Sequence, residues 1–129
     1  MILFDTDVCI ELLKGNKKVI QKRDQYDEPV GISFMSVAEL YYGAEKSTNP
    51  TKNHLIIETL LLSLDIIEPD LGILKRFGVI KAQLQKKGSG IADADIFIAA
   101  TAMEKGSRLV TGNLKHFERI PGLPVENWK

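Results

Sequence analysis

The sequence of 129 residues has only one cysteine, Cys9, and no apolar run near the ~20 residues that cross a bilayer. A lone cysteine excludes a disulfide framework and a cysteine-based zinc site. Basic and acidic residues number 17 each, so a uniformly basic nucleic-acid coat is excluded too. The phosphate-loop and dinucleotide-binding glycine patterns are absent, as are the regions of a signal peptide. We therefore expect a soluble, cytoplasmic protein without a membrane segment.

The composition is 44% hydrophobic and 26% charged, which is typical of a globular protein, and the length suits one domain spanning residues 1–129. Short apolar strands alternate with amphipathic helices, one of which is predicted to begin near Ser36 and another with Pro69 in its first turn. This alternation predicts a mainly parallel sheet covered by helices on both faces, a three-layer α/β/α sandwich. The predicted strands are 2–4, 30–34, 64–67 and 108–111, with a short fifth near 123–125.

Acidic and polar residues collect where predicted strands give way to helices or where a helix begins. In a parallel sheet such junctions meet at one edge, the edge where function gathers. Several carboxylates without nearby histidine or cysteine form an all-oxygen site that suits Mg²⁺ or Mn²⁺, and a cation there can support phosphoryl transfer. The residues at these positions are Asp5, Asp7, Glu39, Asp93, Asp95 and Asn113.

Each acid also has a structural interpretation. Ser36 and Glu39 match a capping box, in which the glutamate only satisfies the start of a helix. Asp93 or Asp95 can cap the following helix in the same way. Asp5 is harder to explain structurally, because a carboxylate that closes a buried strand is costly unless it is paired or bound to a ligand.

The histidines and the nearby basic residues lie outside this pattern of acids. We expect His54 and His116 at the surface rather than among metal ligands. The group Lys115, His116 and Arg119 lies close to the predicted site in sequence, where positive charge can position a nucleic-acid backbone without reading its bases.

Four segments, read in order along the chain, resemble the PIN domain. More narrowly, they resemble the VapC-type toxin ribonucleases of toxin–antitoxin pairs. The resemblance covers nearly the whole chain, and the combination of the four segments is more specific than any one of them. The segments are ILFDTD at 2–7, SVAEL at 36–40, DIFIAATA at 95–102, and LVTGN through FERI at 109–120.

The resemblance implies that Asp5, Glu39 and Asp95 are the catalytic acids and that they hold Mg²⁺ or Mn²⁺ directly or through waters. The family often has asparagine at the position of Asp7, which leaves the role of Asp7 open, and frequently a fourth acid at the position of Asn113. The residues expected to support the site are Thr6, Asp7, Ser36, Asp93, Thr111 and Asn113.

The resemblance further implies a metal-dependent endoribonuclease toxin, an RNA substrate, a VapB-like antitoxin as protein partner, and a homodimer. Ile10 and Tyr42 fall off the main apolar stripes, so we expect them to line a groove for an amphipathic antitoxin segment. Two other classes stay open from the residues alone. One is a haloacid-dehalogenase-like phosphatase that uses Asp5 and Asp7, and the other is a receiver-like signalling module that binds Mg²⁺ without catalysis.

Overall fold

A sheet of five parallel strands forms the centre of the computed structural model, which describes residues 1–129. The elements in chain order are β1 (Ile2–Phe4), α1 (Thr6–Leu13), α2 (Lys17–Asp24), β2 (Val30–Ser33), α3 (Phe34–Lys46), α4 (Pro50–Leu61), β3 (Asp65–Ile67), α5 (Leu71–Lys86), α6 (Asp93–Lys105), β4 (Arg108–Val110), α7 (Leu114–Phe117) and β5 (Val125–Glu126). The strand order across the sheet is β3-β2-β1-β4-β5, so β1 is the central strand. None of the helices combines the length and the hydropathy that a membrane span requires.

The central strand is buried on both faces, which explains why its three residues are all apolar. Ile2 and Phe4 pack into one buried cluster with residues of α1, α2, α3 and α4. Leu3 points to the other face and packs into a second cluster with residues of α5, α6 and α7. The helices therefore cover both faces of the sheet, and the predicted α/β/α sandwich is confirmed.

The start of α3 differs from the prediction. The helix begins at Phe34 rather than near Ser36, because the hydroxyl of Ser33 accepts a hydrogen bond from the backbone N–H of Ser36 at 3.1 Å. Ser33 itself has an extended backbone, as expected for a residue that caps a helix.

Two other helices also differ from the sequence pattern. Helix α2 covers Lys17–Asp24, a basic stretch in which the pattern predicts no helix, and the side chain of Asn16 caps it. Helix α5 begins at Leu71 with Asp70 as its cap, so Pro69 precedes the helix instead of lying in its first turn. In both cases a short polar side chain that accepts backbone N–H groups sets the first residue.

The register of the strands aligns the residues at the carboxyl edge of the sheet. Phe4 pairs with Ile32 of β2 and with Val110 of β4. The next residue of each strand is therefore brought to the same edge, and all three of these residues are buried. They are Asp5, Ser33 and Thr111.

Candidate active site

Asp5 lies at the end of the central strand and is only 6% exposed. One carboxylate oxygen, Oδ1, accepts from the backbone N–H of Thr6 at 2.8 Å. The other, Oδ2, accepts from the hydroxyl of Thr111 at 2.8 Å. Both donors are neutral, so they orient the carboxylate without cancelling its charge.

The surroundings of Asp5 disfavour its ionised form. Burial, and then the neighbouring carboxylates of Asp7 and Asp95, raise its pKa to about 6, against the lowering effect of the bonds from Thr111 and Thr6. A positive charge beside Asp5 would therefore stabilise its ionised form. This edge of the sheet is suited to bind a cation.

Glu39 lies in α3 and faces the start of α1. Its Oε1 accepts from the hydroxyl of Thr6 at 2.7 Å, and the same hydroxyl lies 2.9 Å from the Oγ of Ser36. Thr6 thus joins two acids, because its backbone N–H binds Asp5 while its side chain binds Glu39.

These contacts overturn the capping-box interpretation of Glu39. Ser33 caps α3, and the carboxylate of Glu39 bonds across to another helix. Ser36 is buried between the two helices, with its Oγ within hydrogen-bonding distance of Thr6 and 3.4 Å from the Oγ of Ser33. Thr6 contacts Glu39 directly, whereas Ser36 reaches it only through the hydroxyl of Thr6.

Asp95 lies in the first turn of α6, and its partner is a histidine that the sequence analysis did not expect to contact an acid of the site. Its Oδ2 is 3.1 Å from Nδ1 of His116 on α7, and this nitrogen is also 2.8 Å from the side-chain amide of Asn113. His116 lies at the surface as expected, with its side chain 41% exposed, but its contact with an acid of the site was not expected. The signal that could have indicated it is the pair Asn113 and His116, three residues apart, directly after the fourth strand.

The carboxylate of Asp7 bonds to the loop after β4 and to a lysine. Its Oδ2 accepts from the backbone N–H of Gly112 at 2.9 Å and pairs with Nζ of Lys129 at 3.2 Å. A β-carbon on Gly112 would come within 2.6 Å of that same oxygen and of Nζ of Lys129, so a larger residue there would displace both side-chain ends. Asp7 therefore holds the loop that carries Thr111 and Asn113.

Asp93 does not belong to the site. Its side chain is exposed and forms an ion pair with Lys81 of α5 at 3.0 Å, and Ala92 rather than Asp93 is the cap of α6. The expectation that Asp93 supports the catalytic acids is corrected accordingly. Residues two apart on a helix point about 200° apart, which is why Asp93 and Asp95 face different partners.

The donor set fits a hard divalent cation that keeps part of its water shell. No three of the carboxylate, imidazole and thiol groups are close enough together to enclose a metal ion on their own. Mg²⁺ typically binds through one or two protein carboxylates, waters and substrate phosphates, so a looser arrangement of acids suits it. Cys9 is buried beside the acids, and burial raises the pKa of its thiol, so it remains neutral and contributes no soft ligand.

A groove opens beside the acids between α1, α3 and α4. It has a volume of about 380 Å³ and includes Ile10, Leu40 and Ile57 together with Glu39. Ile10 lines this groove as expected, whereas Tyr42 is not among its residues. Tyr42 is 65% exposed, and the ammonium of Lys46 lies 4.6 Å from the centre of its ring.

The fold and the site together define a class of protein, an α/β/α sandwich with acids at the carboxyl edge of a parallel sheet. The family model that matches the chain is the PIN domain, over residues 2–123. The chain belongs to the PIN-domain family.

The relatives of the chain are named as ribonucleases of the VapC type. Ribonuclease VapC2 of Haemophilus influenzae is 40% identical over 98% of this chain and 96% of the relative. The tRNA(fMet)-specific endonuclease VapC of Salmonella typhimurium is 35% identical over the same shares. The structure of VapBC2 from Rickettsia felis bound to a fragment of promoter DNA matches with a TM-score of 0.94 and 31% identity over 100% of both chains. These matches favour neither the phosphatase nor the receiver-like alternative.

Proposed function

We propose that residues 1–129 form one Mg²⁺- or Mn²⁺-dependent endoribonuclease domain that acts as the toxin of a toxin–antitoxin pair. The observation that carries this proposal is the buried carboxylate of Asp5, with a pKa raised to about 6 by burial and by Asp7 and Asp95. A nuclease of this kind needs a cation between its acids and the phosphate, and the charge arrangement around Asp5 favours one. The named ribonuclease relatives support the same activity.

In this proposal Asp5, Glu39 and Asp95 are the catalytic acids and hold the cation directly or through waters. A divalent cation supplies an activated water and stabilises charge that develops on the phosphate. Thr111 keeps Asp5 oriented through its hydroxyl, and Thr6 does the same for Glu39. Because these donors are neutral, the negative charge of the acids remains available to the cation.

We propose RNA as the substrate, in line with the ribonuclease names of the relatives, one of which is specific for tRNA(fMet). The basic residues Lys115 and Arg119 lie on and just after α7, the helix that carries His116, and both are exposed. They are placed to meet backbone phosphates near the acids, a kind of contact that positions RNA without specifying its sequence.

We also propose a VapB-like antitoxin as partner and the groove beside Glu39 as its binding surface. The solved relative from Rickettsia felis is a VapBC2 assembly. The groove is apolar along Ile10 and Leu40 but reaches a catalytic acid at Glu39, so an amphipathic segment can fill it while a basic side chain neutralises that acid. Co-expression with the neighbouring small open reading frame should restore growth, and growth arrest despite a soluble complex would contradict this part.

The proposed ribonuclease acts in the cytoplasm, where its RNA substrate is found, and as a homodimer. The outer side of α5 exposes Leu71, Leu74 and Val79, apolar surface that a second copy can cover. Light scattering of the purified chain should give twice the mass of the monomer, and a monomeric mass at micromolar concentration would contradict the dimer.

The direct test is cleavage of total transfer RNA and cellular RNA by the purified chain with Mg²⁺, with Mn²⁺ and with EDTA. Cleavage should require the cation and should fall at least about 100-fold in Asp5→Asn, since one oriented charge is removed from a catalytic unit. Cleavage that persists in EDTA would overturn the metal mechanism. A trapped phosphoaspartate on Asp5 would instead favour the phosphatase.

A further inference from the structure

The imidazole of His116 joins two elements at the rim of the site. Its Nδ1 lies 3.1 Å from Oδ2 of Asp95 in α6 and 2.8 Å from Nδ2, the side-chain amide nitrogen, of Asn113. The histidine side chain is 41% exposed and that of Asp95 21%, so neither contact results from close packing of a core. The arrangement depends on hydrogen bonding.

These contacts continue from Asp95 to Asp5. The backbone N–H of Asn113 donates to Oγ1 of Thr111 at 2.9 Å, and that hydroxyl donates to Oδ2 of Asp5 at 2.8 Å. Asp95, His116, Asn113 and Thr111 are therefore joined by contacts that pass from the side chain to the backbone of Asn113 and end on the buried acid. Two of the three proposed catalytic acids are linked through residues of the loop after β4 and of α7.

Nδ1 of His116 lies between a carboxylate oxygen of Asp95 and the amide nitrogen of Asn113. A bare Nδ1 would direct its lone pair at the carboxylate oxygen, which is repulsive, so the contact with Asp95 favours a hydrogen on Nδ1. An Nδ1–H requires the amide of Asn113 to be turned by 180°, so that its oxygen and not its nitrogen faces the ring. The second oxygen of Asp95 is then left to bind a cation.

The first turn of α6 offers Asp95 a competing set of partners. Its cap residue, Ala92, has no side chain that can accept from the N–H groups of the first turn. A carboxylate at the third helical position often folds back to these groups, and the helix dipole favours it there. A donor on the opposite side is needed to keep Asp95 directed toward the site.

We propose that His116 is a positioning residue, which holds the carboxylate of Asp95 toward Asp5 through its Nδ1–H and prevents it from capping α6. This inference rests on the proposed function, in which Asp95 binds the cation. Partners that orient a ligating carboxylate typically change metal affinity or activity by roughly 10- to 100-fold when they are removed.

The test compares three substitutions of His116 on the full chain. His116→Asn places an amide N–H near the position of Nδ1, His116→Gln places it near Nε2, and His116→Ala removes the donor. The matched control is His54→Ala, because His54 also pairs with a carboxylate, Glu45 at 3.1 Å, but on α4. Mn²⁺ binding is measured by electron paramagnetic resonance, RNA cleavage by kcat and KM, and folding by circular dichroism.

We expect His116→Ala and His116→Gln to bind Mn²⁺ roughly 10- to 100-fold more weakly and to lose kcat more than affinity for RNA. His116→Asn should stay within about threefold of the parent, and the His54 control should be unchanged. Equal binding and cleavage by all variants, or rescue by glutamine as good as by asparagine, would overturn the inference. If the alanine variant does not fold, the asparagine and glutamine variants decide.

A parent chain that binds Mn²⁺ without cutting RNA would refute the proposed function alone, because the binding comparison still tests His116. A parent chain that binds no Mn²⁺ would overturn both the proposed function and the inference.

Discussion

Replacing the buried acid of the central strand should stabilise the protein while abolishing its activity. Asp5→Asn keeps the shape of the side chain and the acceptor for the N–H of Thr6, but it removes a charge that the site disfavours. If Asp5 instead stabilised the folded state, replacing it with asparagine would lower the free energy of unfolding. The sign of the stability change therefore tests whether Asp5 is held in an unfavourable state for function.

The magnitude follows from the pKa of Asp5. The folded value of about 6 lies above the ordinary value of 3.8, and a gap of about 2 pH units corresponds to about 3 kcal/mol. Because the folded pKa is raised, Asp5 contributes fully to stability below about pH 4, and this contribution is lost as the pH rises toward 6. In Asp5→Asn the hydroxyl of Thr111 has to turn from donor to acceptor, and this change reduces the gain in stability by about 1 kcal/mol. The expected net gain at pH 7.5 without metal is about 2 kcal/mol.

Urea unfolding followed by circular dichroism between pH 4.5 and 7.5, in EDTA, measures this gain. For a chain of this size about 2 kcal/mol corresponds to a rise in Tm of roughly 6–10 °C. Asp27→Asn, which changes an exposed aspartate, is the matched control and should have little effect. Saturating Mn²⁺ should then stabilise the parent chain but not Asp5→Asn, by about 2.7 kcal/mol at 100 times the Kd. A variant that is less stable than the parent at pH 7.5, or a gain that does not shrink with falling pH, would refute this reasoning.

Three further outcomes are expected. Gly112→Ala should lower the free energy of unfolding by about 1 kcal/mol in urea titrations, because its β-carbon would displace Oδ2 of Asp7 and Nζ of Lys129, each 2.6 Å away. An unchanged midpoint would contradict a role of these two side chains in holding the loop. Asp95→Asn should lower RNA cleavage at least about 100-fold. Asp93→Asn should cleave RNA at nearly the parent rate, because Asp93 pairs with Lys81 outside the site, and the reverse result would exchange the roles of the two acids. End analysis of the products should find 5′-phosphate and 3′-hydroxyl, and 2′,3′-cyclic phosphate would show that the 2′-hydroxyl is the nucleophile instead.

The sheet and the placement of its edge could be predicted from the sequence, because the signals involved are local. The residues of β1 are apolar without alternation, which is typical of a strand covered on both faces, and Asp5 directly follows them. A parallel sheet then fixes where its carboxyl ends meet. Glu39 could be assigned to that edge from its position after β2, although its partner in α1 could not.

The details of hydrogen bonding could not be predicted, since they depend on side-chain direction. Ser33 and Ser36 both qualify as caps by residue type, and only the backbone of the folded chain decides between them. Likewise, nothing in the residue type of His116 separates a surface histidine from one that meets an aspartate 21 positions earlier in the sequence. Contacts between residues so far apart in sequence leave no periodicity to detect.

The ion pairs help to separate the structural acids from those available to a cation. Asp7 pairs with Lys129, and Asp93 pairs with Lys81. A lysine beside a carboxylate supplies much of the positive charge that a metal would otherwise provide. These two acids lie within two positions of Asp5 and of Asp95 in the sequence, yet they already have a cationic partner.

Asp5 and Glu39 are held differently. Their hydrogen bonds come from the backbone N–H of Thr6, from its hydroxyl and from the hydroxyl of Thr111, all of them neutral donors. Neutral donors fix the direction of a carboxylate and leave its charge uncompensated, which costs stability when the group is buried. For Asp5 that cost appears as the raised pKa, and a divalent cation is the kind of ligand that would offset it. The same imbalance that makes the edge of the sheet unfavourable for folding is therefore what suits it to a cation.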